Sequence, residues 1–300
     1  MYNKLLDEYF SSKLLEFEML YIDEYKKKSE LLVQDILGIN KSDIYTKNYS
    51  IPFEKLQLLE DAFSKLKENI PVQHILSKTY FYDNEFFTPP GTFIPRPETE
   101  LIIDCVKNDF SLMEKKNVLE VGSGTGCLSI SIAKLYKIFF ITGIDISTKA
   151  IETSIKNAKK INCSNVEFIK KDFFSMNFKY YDIIISNPPY LAIEEIESLD
   201  KSVKNHDPFI ALSDNSDGLS FYKFFINNID LFLKKDGVMY FEIPNSPITE
   251  TIISLVKKNK KISTEIFKDF SGNNRVIKIY FNIRWRANLY IYITILIIVY

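Results

Sequence analysis

Tyr181-Asp182-Ile183-Ile184-Ile185-Ser186-Asn187-Pro188-Pro189-Tyr190 is the stretch of this chain whose residue types and order best suit chemistry. Ile183 to Ile185 are β-branched and apolar, as in a parallel strand buried on both faces. Pro188 and Pro189 lack a backbone N–H and hold φ fixed, so the strand must stop there. Asn187 is pushed toward an extended conformation by the proline that follows it. The result is a rigid tip carrying a side-chain amide, backbone carbonyls and one aromatic face. Such a tip suits a planar NH2 group. The Asn187 oxygen and the Pro188 carbonyl accept its two hydrogens, and Tyr190 lies against its plane. Asn187, Pro188 and Tyr190 are therefore the candidate catalytic residues, and Asn187, Pro188, Pro189 and Tyr190 the candidate substrate site. The plain structural alternative is a proline-kinked loop after a strand.

A second constellation precedes it. Val118-Leu119-Glu120-Val121 leads into Gly122-Ser123-Gly124-Thr125-Gly126, which opens a helical pattern. Glycines at 122, 124 and 126 let the backbone turn sharply and let a ligand approach main-chain N–H groups. Strand before and helix after are the context such a loop needs. Asp145 follows about 20 residues on, at the end of the next strand, where a carboxylate accepts from ribose hydroxyls. Its structural alternative is a helix N-cap, a role Ser147 could also fill. Asp172 and Phe173 end the third strand; the first could accept from an adenine amino group and the second pack on the ring. The loop reads G-x-G-x-G and not G-x-G-x-x-G, and no lysine is placed for a pyrophosphate. Both points favour S-adenosylmethionine over NAD or ATP. Gly122, Ser123, Gly124, Thr125, Gly126, Asp145, Asp172, Phe173 and Asn187 form the candidate cofactor site.

These residues need a scaffold. From 117 onward strand and helix patterns alternate, with strands expected at 118–121, 139–144, 166–169, 181–186, 238–242, 265–267 and 276–281, and helices in the first five gaps. The last two strands join across Ser271-Gly272-Asn273-Asn274 without a helix. This predicts an α/β fold: a seven-stranded, doubly wound, mostly parallel sheet ending in an antiparallel pair. In such sheets ligands bind at the carboxyl ends of strands where the order reverses. That rule brings Gly122–Gly126 opposite Asn187–Tyr190, a methyl donor against an NH2-holding tip. Residues 1–75 repeat apolar residues at helical spacing and are expected to form a helical bundle that recognises a partner. Residues 76–97 read as a β-hairpin turning at Asp83-Asn84 and linking that bundle to the domain of 98–283. The tail, 284–300, is apolar and β-branched but too short to span a bilayer, which takes about 20 residues. It reads as an extension from a shifted or truncated reading frame, or as a membrane-surface anchor.

Composition narrows the class. The 300 residues are 46% hydrophobic and 26% charged, ordinary for a globular protein. A net charge of −1 argues against direct nucleic-acid binding. Cys105, Cys127 and Cys163 are scattered and odd in number, which points to reduced thiols in the cytoplasm. His74 and His206 form no cluster of metal spacing, so no metal is expected. The N-terminus has the pattern of neither a signal nor a transit peptide.

Together these residues resemble the bacterial release-factor glutamine methyltransferase family over roughly residues 5–283. The Asn-Pro-Pro-Tyr motif is shared with adenine and guanine amino methyltransferases of DNA and ribosomal RNA. More specific are Ile94-Pro95-Arg96-Pro97-Glu98-Thr99-Glu100, Pro71-Val72-Gln73-His74-Ile75 and Gly272-Asn273-Asn274-Arg275. The resemblance implies a class I methyltransferase fold and S-adenosylmethionine as cofactor. It also implies a reaction: methylation of the amide nitrogen of the glutamine in the Gly-Gly-Gln loop of class 1 peptide-release factors. A monomer is expected. The chain departs from the family with His206-Asp207-Pro208 for Tyr-Glu-Pro, and with Pro244 where glycine is usual after Glu242-Ile243. The alternatives are a nucleic-acid amino methyltransferase and a non-catalytic cofactor-binding protein.

Overall fold

A computed structural model describes residues 5–19, 25–46, 49–177 and 179–282. The expectations for 284–300 lie outside the described residues. The chain divides into two compact units.

The smaller unit comprises Met1–Lys78, Thr88–Pro90 and Asp200–His206. It holds helices α1 (Leu6–Met19), α2 (Tyr25–Leu37), α3 (Lys41–Ile44), α4 (Phe53–Lys67) and α5 (Val72–Ile75), and, from the later segment, residues Lys201–His206. Its core gathers Leu6, Tyr9 and Phe10 with Leu32, Val33, Leu59 and Phe63, the apolar faces of α1, α2 and α4. Gly38 ends α2 in the left-handed region at φ 72°, where a β-carbon would be strained.

The larger unit opens with the hairpin β1 (Lys78–Phe81) and β2 (Asn84–Phe87), whose residues Thr79–Phe87 group with this unit. Its turn is Tyr82-Asp83, at φ 44° and 60°, one residue earlier than expected. Both positive φ values match the right-handed twist of a two-residue hairpin turn, and Asn84 then starts the second strand. Phe81 and Phe86 enter the core, and the Asn157 side chain accepts from Phe87 N at 2.7 Å and donates to Phe87 O at 2.9 Å.

After α6 (Glu100–Asp109) the sheet is built from β3 (Asn117–Val121), α7 (Cys127–Leu135), β4 (Phe140–Asp145), α8 (Thr148–Ile161), β5 (Val166–Lys170) and β6 (Tyr181–Ser186). Then follow α9 (Lys201–His206, in the smaller unit), α10 (Phe209–Leu212), α11 (Ser220–Asn227), β7 (Leu233–Glu242), α12 (Ile248–Lys258), β8 (Ile262–Lys268) and β9 (Asn274–Phe281). The strand order is β5-β4-β3-β6-β7-β9-β8, with β9 antiparallel to both neighbours. This is the expected seven-stranded, mostly parallel, doubly wound sheet.

One connection corrects the sequence reading. Between β5 and β6 the described residues hold a 3-10 turn, Phe173–Ser175, and no α-helix. That crossover must pass β4 and β3, three strand spacings of about 4.8 Å each, and also return the length of a strand. At a helical rise of about 1.5 Å per residue, Lys171–Tyr180 is too short for both.

Alternate residues of the strands feed two cores on opposite sheet faces. Leu119, Val121, Ile184, Met239 and Phe241 pack with α11 and α12; Val118, Ile183, Ile185 and Tyr240 pack with α6 and α7. A carboxylate, Glu120 of β3, is enclosed among them and accepts from Ser129 N at 3.1 Å and from Ser129 Oγ. Burial pushes its pKa from 4.5 to about 8, against the lowering effect of the Ser129 bonds.

The native state therefore keeps a proton that the unfolded chain releases, and stability should decline as pH rises from about 4.5 to about 8. Glu120→Gln cannot ionise. Thermal midpoints measured across that range should fall less for the variant than for the parent protein.

Candidate active site

The two expected constellations meet at the carboxyl ends of β3 and β6. These strands pair in parallel, with Val121 opposite Ser186, and Ser186 Oγ donates to Val121 O at 2.7 Å. Gly122 and Asn187, the next residue on each, flank a cavity of about 530 Å³.

The glycine loop is strapped to β4. Gly122 N and Ser123 N both donate to Ile144 O, at 2.9 and 3.0 Å. Gly124 N donates to Asp145 Oδ2, and Ser147 N to Asp145 Oδ1, each at 2.9 Å. Burial raises the Asp145 pKa although these backbone donors pull it down. Ser147, not Asp145, caps α8 by accepting from Ala150 N. That leaves the remaining lone pairs of Asp145 at the cavity wall for a ligand's hydroxyls.

The glycines differ in role. Gly122 and Gly124 line the cavity at φ 74° and 53°. A β-carbon on Gly124 would meet nothing within 4 Å, and one on Gly122 would come 4.0 Å from Asn187 O. A Cβ on Gly126 would instead lie 2.8 Å from Phe168 Cζ and 2.9 Å from Ser154 Cβ. Gly126, Ser123 and Thr125 do not reach the cavity wall. The first two glycines thus form an open cradle that a side chain would fill, while the third lets α7 and the sheet approach. A cradle of bare backbone beside a carboxylate fits an adenosyl cofactor.

Asp172 Oδ1 accepts from Phe174 N at 3.0 Å, capping the 3-10 turn. Phe173 touches the cavity but is 4% exposed, its ring 4.5 Å from Phe225 and 5.1 Å from Phe224. Phe174 and Phe221, 4.8 Å apart, add aromatic surface that sequence reasoning missed. A ring at 174 carries the same sequence signal as one at 173, and only burial separates them.

Asn187, Pro188 and Pro189 line the wall, whereas Tyr190 turns onto the core beside β7 and does not. Burial raises the Tyr190 hydroxyl pKa well above its usual range. The Asn187 amide is held from behind: its Nδ2 donates to Thr99 Oγ1 at 3.2 Å. Sequence reasoning also missed Thr92, Phe93 and the Pro208–Ala211 run of the wall. The departure at 206–208 did point toward that run. Asp207 is buried, and its carboxylate takes a 2.5 Å ion pair with Arg96.

A doubly wound sheet of this order, with a glycine cradle facing an amide tip, defines a class I methyltransferase. Residues 112–283 match the family model described as a methyltransferase domain, and residues 12–76 match the PrmC N-terminal domain. The chain is 35% identical to a release factor glutamine methyltransferase of Fusobacterium nucleatum, over 85% of this chain and 75% of that one. It is 36% identical to the protein of the same name from Bacillus subtilis, over 70% and 75%. A ribosomal protein L11 methylase structure from Lactobacillus delbrueckii aligns over 64% of this chain and 82% of that one, with a TM-score of 0.46 at 18% identity. The chain belongs to the release factor glutamine methyltransferase family.

Two glycine variants separate ligand contact from packing. Gly124→Val should abolish S-adenosylmethionine binding in calorimetry, because the side chain enters the cradle. Gly126→Ala should instead lower the unfolding free energy by about 1–3 kcal/mol, the cost of overpacking, as read by denaturant titration.

Proposed function

We propose that the protein methylates the side-chain amide nitrogen of the glutamine in the Gly-Gly-Gln loop of class 1 peptide-release factors, using S-adenosylmethionine. The observation that carries this reading is the Asn187 carboxamide at the cavity wall, with its nitrogen turned to Thr99 and its oxygen left as acceptor, next to the glycine cradle.

An amide nitrogen is a poor nucleophile because its lone pair is delocalised into the carbonyl. Asn187 Oδ1 and the Pro188 carbonyl accept the two N–H hydrogens and so turn the nitrogen lone pair toward the donor. S-adenosylmethionine, when bound, supplies an electrophilic methyl on a sulfonium. The nitrogen–carbon bond would form as the methyl's bond to sulfur breaks, its electron pair staying on sulfur, and the nitrogen proton would leave to water. Gly122, Gly124 and Asp145 would hold the donor, and Asp172, Phe173 and Phe174 its base. Orientation of two held reactants supplies much of the rate. Tyr190 supports the tip from the core side.

The helical unit carries none of the cavity residues, and we assign it recognition of the factor's body. Among the described residues no helix is long and apolar enough to cross a membrane. A net charge of −1 supports the absence of direct nucleic-acid binding, and action on a translation factor makes the protein cytoplasmic; we propose a monomer.

Labelled methyl transfer to purified release factor should exceed transfer to DNA or ribosomal RNA; the reverse order would overturn the substrate assignment. Asn187→Ala should keep its fold and cofactor affinity while single-turnover transfer falls by about 10² or more, the usual loss when one preorganised polar partner is removed. Deleting residues 1–75 should leave cofactor affinity intact and sharply reduce methylation of whole release factor, measured with the same assay.

A further inference from the structure

Neither Thr99 nor Glu242 lines the cavity, and both are buried, at 3% and 2% exposure. Their side chains nevertheless continue from Asn187 as a directed chain. Asn187 Nδ2 donates to Thr99 Oγ1 at 3.2 Å, and Thr99 Oγ1 donates to Glu242 Oε2 at 2.5 Å. This direction holds while Glu242 is ionised. An ionised carboxylate only accepts, so the threonine spends its single proton on Glu242. Its oxygen is then purely an acceptor toward Asn187, and only the NH2 end of a carboxamide can donate to it.

The orientation matters because a carboxamide has nearly the same shape after a half-turn that exchanges oxygen and nitrogen. Turned the wrong way, Asn187 would present N–H donors to the N–H donors of an incoming amide. We propose that Thr99 and Glu242 are positioning residues that fix the Asn187 carboxamide with its oxygen toward the substrate amide. This rests on the reading of Asn187 as the holder of that amide.

The anchor of the chain is itself held firmly. Tyr222 Oη donates to Glu242 O at 2.6 Å, and Ile243 N to Arg275 O at 2.8 Å. The charged and titratable groups around the Glu242 side chain are Arg275 of β9, Arg96 and Glu98 before α6, Tyr190 of the tip and Tyr222 of α11. Burial pushes the Glu242 pKa from 4.5 to about 7, with Glu98 adding to the rise, while Thr99 and the two guanidinium groups oppose it. On protonation Glu242 becomes a donor, the threonine proton loses its obligatory acceptor, and the preference for one amide orientation disappears. Transfer should therefore weaken as pH falls through the Glu242 pKa.

The test is single-turnover methyl transfer to release factor at saturating cofactor, with cofactor affinity and thermal midpoint measured on each variant. Thr99→Val keeps the shape and removes the hydroxyl; it should slow transfer about 10- to 100-fold, by analogy with the loss of a partner that orients a metal ligand. Thr99→Ser should restore most of the rate. In an Asn187→Ala background Thr99→Val should add no further loss, because the group it positions is gone. Glu242→Gln, which cannot titrate, should remove the acid limb of the rate profile.

If Asn187→Ala loses the rate and Thr99→Val keeps it, the positioning role falls while the reading of Asn187 stands. If Asn187→Ala itself transfers at the parent rate, both fall. An equal slowing by Thr99→Val with and without Asn187 would show a general structural effect and overturn the proposal. Where Thr99→Val fails to fold, the serine variant decides with Glu242→Gln: a slow serine enzyme, or an acid limb that survives in Glu242→Gln, overturns it.

Discussion

The parallel pairing of β3 with β6 is the constraint on which the site depends. Strands β3, β4 and β5 run outward from the centre of the sheet in one direction, and β6 and β7 in the other. Their connections therefore leave from opposite sides of one boundary and open a crevice there. The Val121–Ser186 register, reinforced by the Ser186 hydroxyl on Val121 O, sets Gly122 beside Asn187. A slip of one residue would turn the side chains of β6 to the other face. Asn187 would lose its place at the wall, and Ile183 and Ile185 would leave their core together. The same packing that stabilises the sheet thus fixes the register of the chemistry.

Behind that boundary, segments far apart in the chain converge on one buried carboxylate. Thr99 and Arg96 come from the stretch before α6, Arg275 from the start of β9, and Glu242 from the end of β7. Two of these segments, 94–100 and 272–275, are motifs that carry the family resemblance, and their convergence on Glu242 gives it a physical content. A buried carboxylate is costly unless polar partners and opposite charges compensate it. Here one hydroxyl bonds to it and two guanidinium groups attract it. Burial still outweighs them, which leaves Glu242 poised near neutrality. Arg96 also pairs directly with Asp207 at 2.5 Å, so the arginine serves two acids.

Legibility in the sequence followed how locally each feature is determined. The span Tyr181–Ser186 was readable because a β-branched run stops just before two prolines. The start of β7 was not, because Lys234-Lys235-Asp236-Gly237 hides a strand whose pairing begins at Leu233. The hairpin was misplaced by one residue because Tyr82, a bulky aromatic, adopts the positive φ that Asn84 would take more easily. Within the site, the glycine loop was visible as a loop, but nothing in its spacing told the cradle glycines from the packing glycine. That distinction lies in Phe168 and Ser154, which come from other elements. The Thr99–Glu242 link was invisible for the same reason: its ends are 143 positions apart and belong to segments without a shared period.

The chemistry also explains why the charged group stands where it does. On the proposed reading, the acceptor nearest the methyl donor is neutral. A carboxylate at position 187 would accept hydrogen bonds as well, but it would also be a nucleophile and an ion partner for a sulfonium. It would compete with the amide for the methyl group and bind the donor more tightly in the ground state, where tighter binding does not speed transfer. Glu242 is set two hydrogen bonds back, with a hydroxyl and a carboxamide between it and the cavity. From there it orients the amide without its charge reaching the methyl group. Tight burial sets its pKa, and the intervening threonine limits what passes forward to orientation alone.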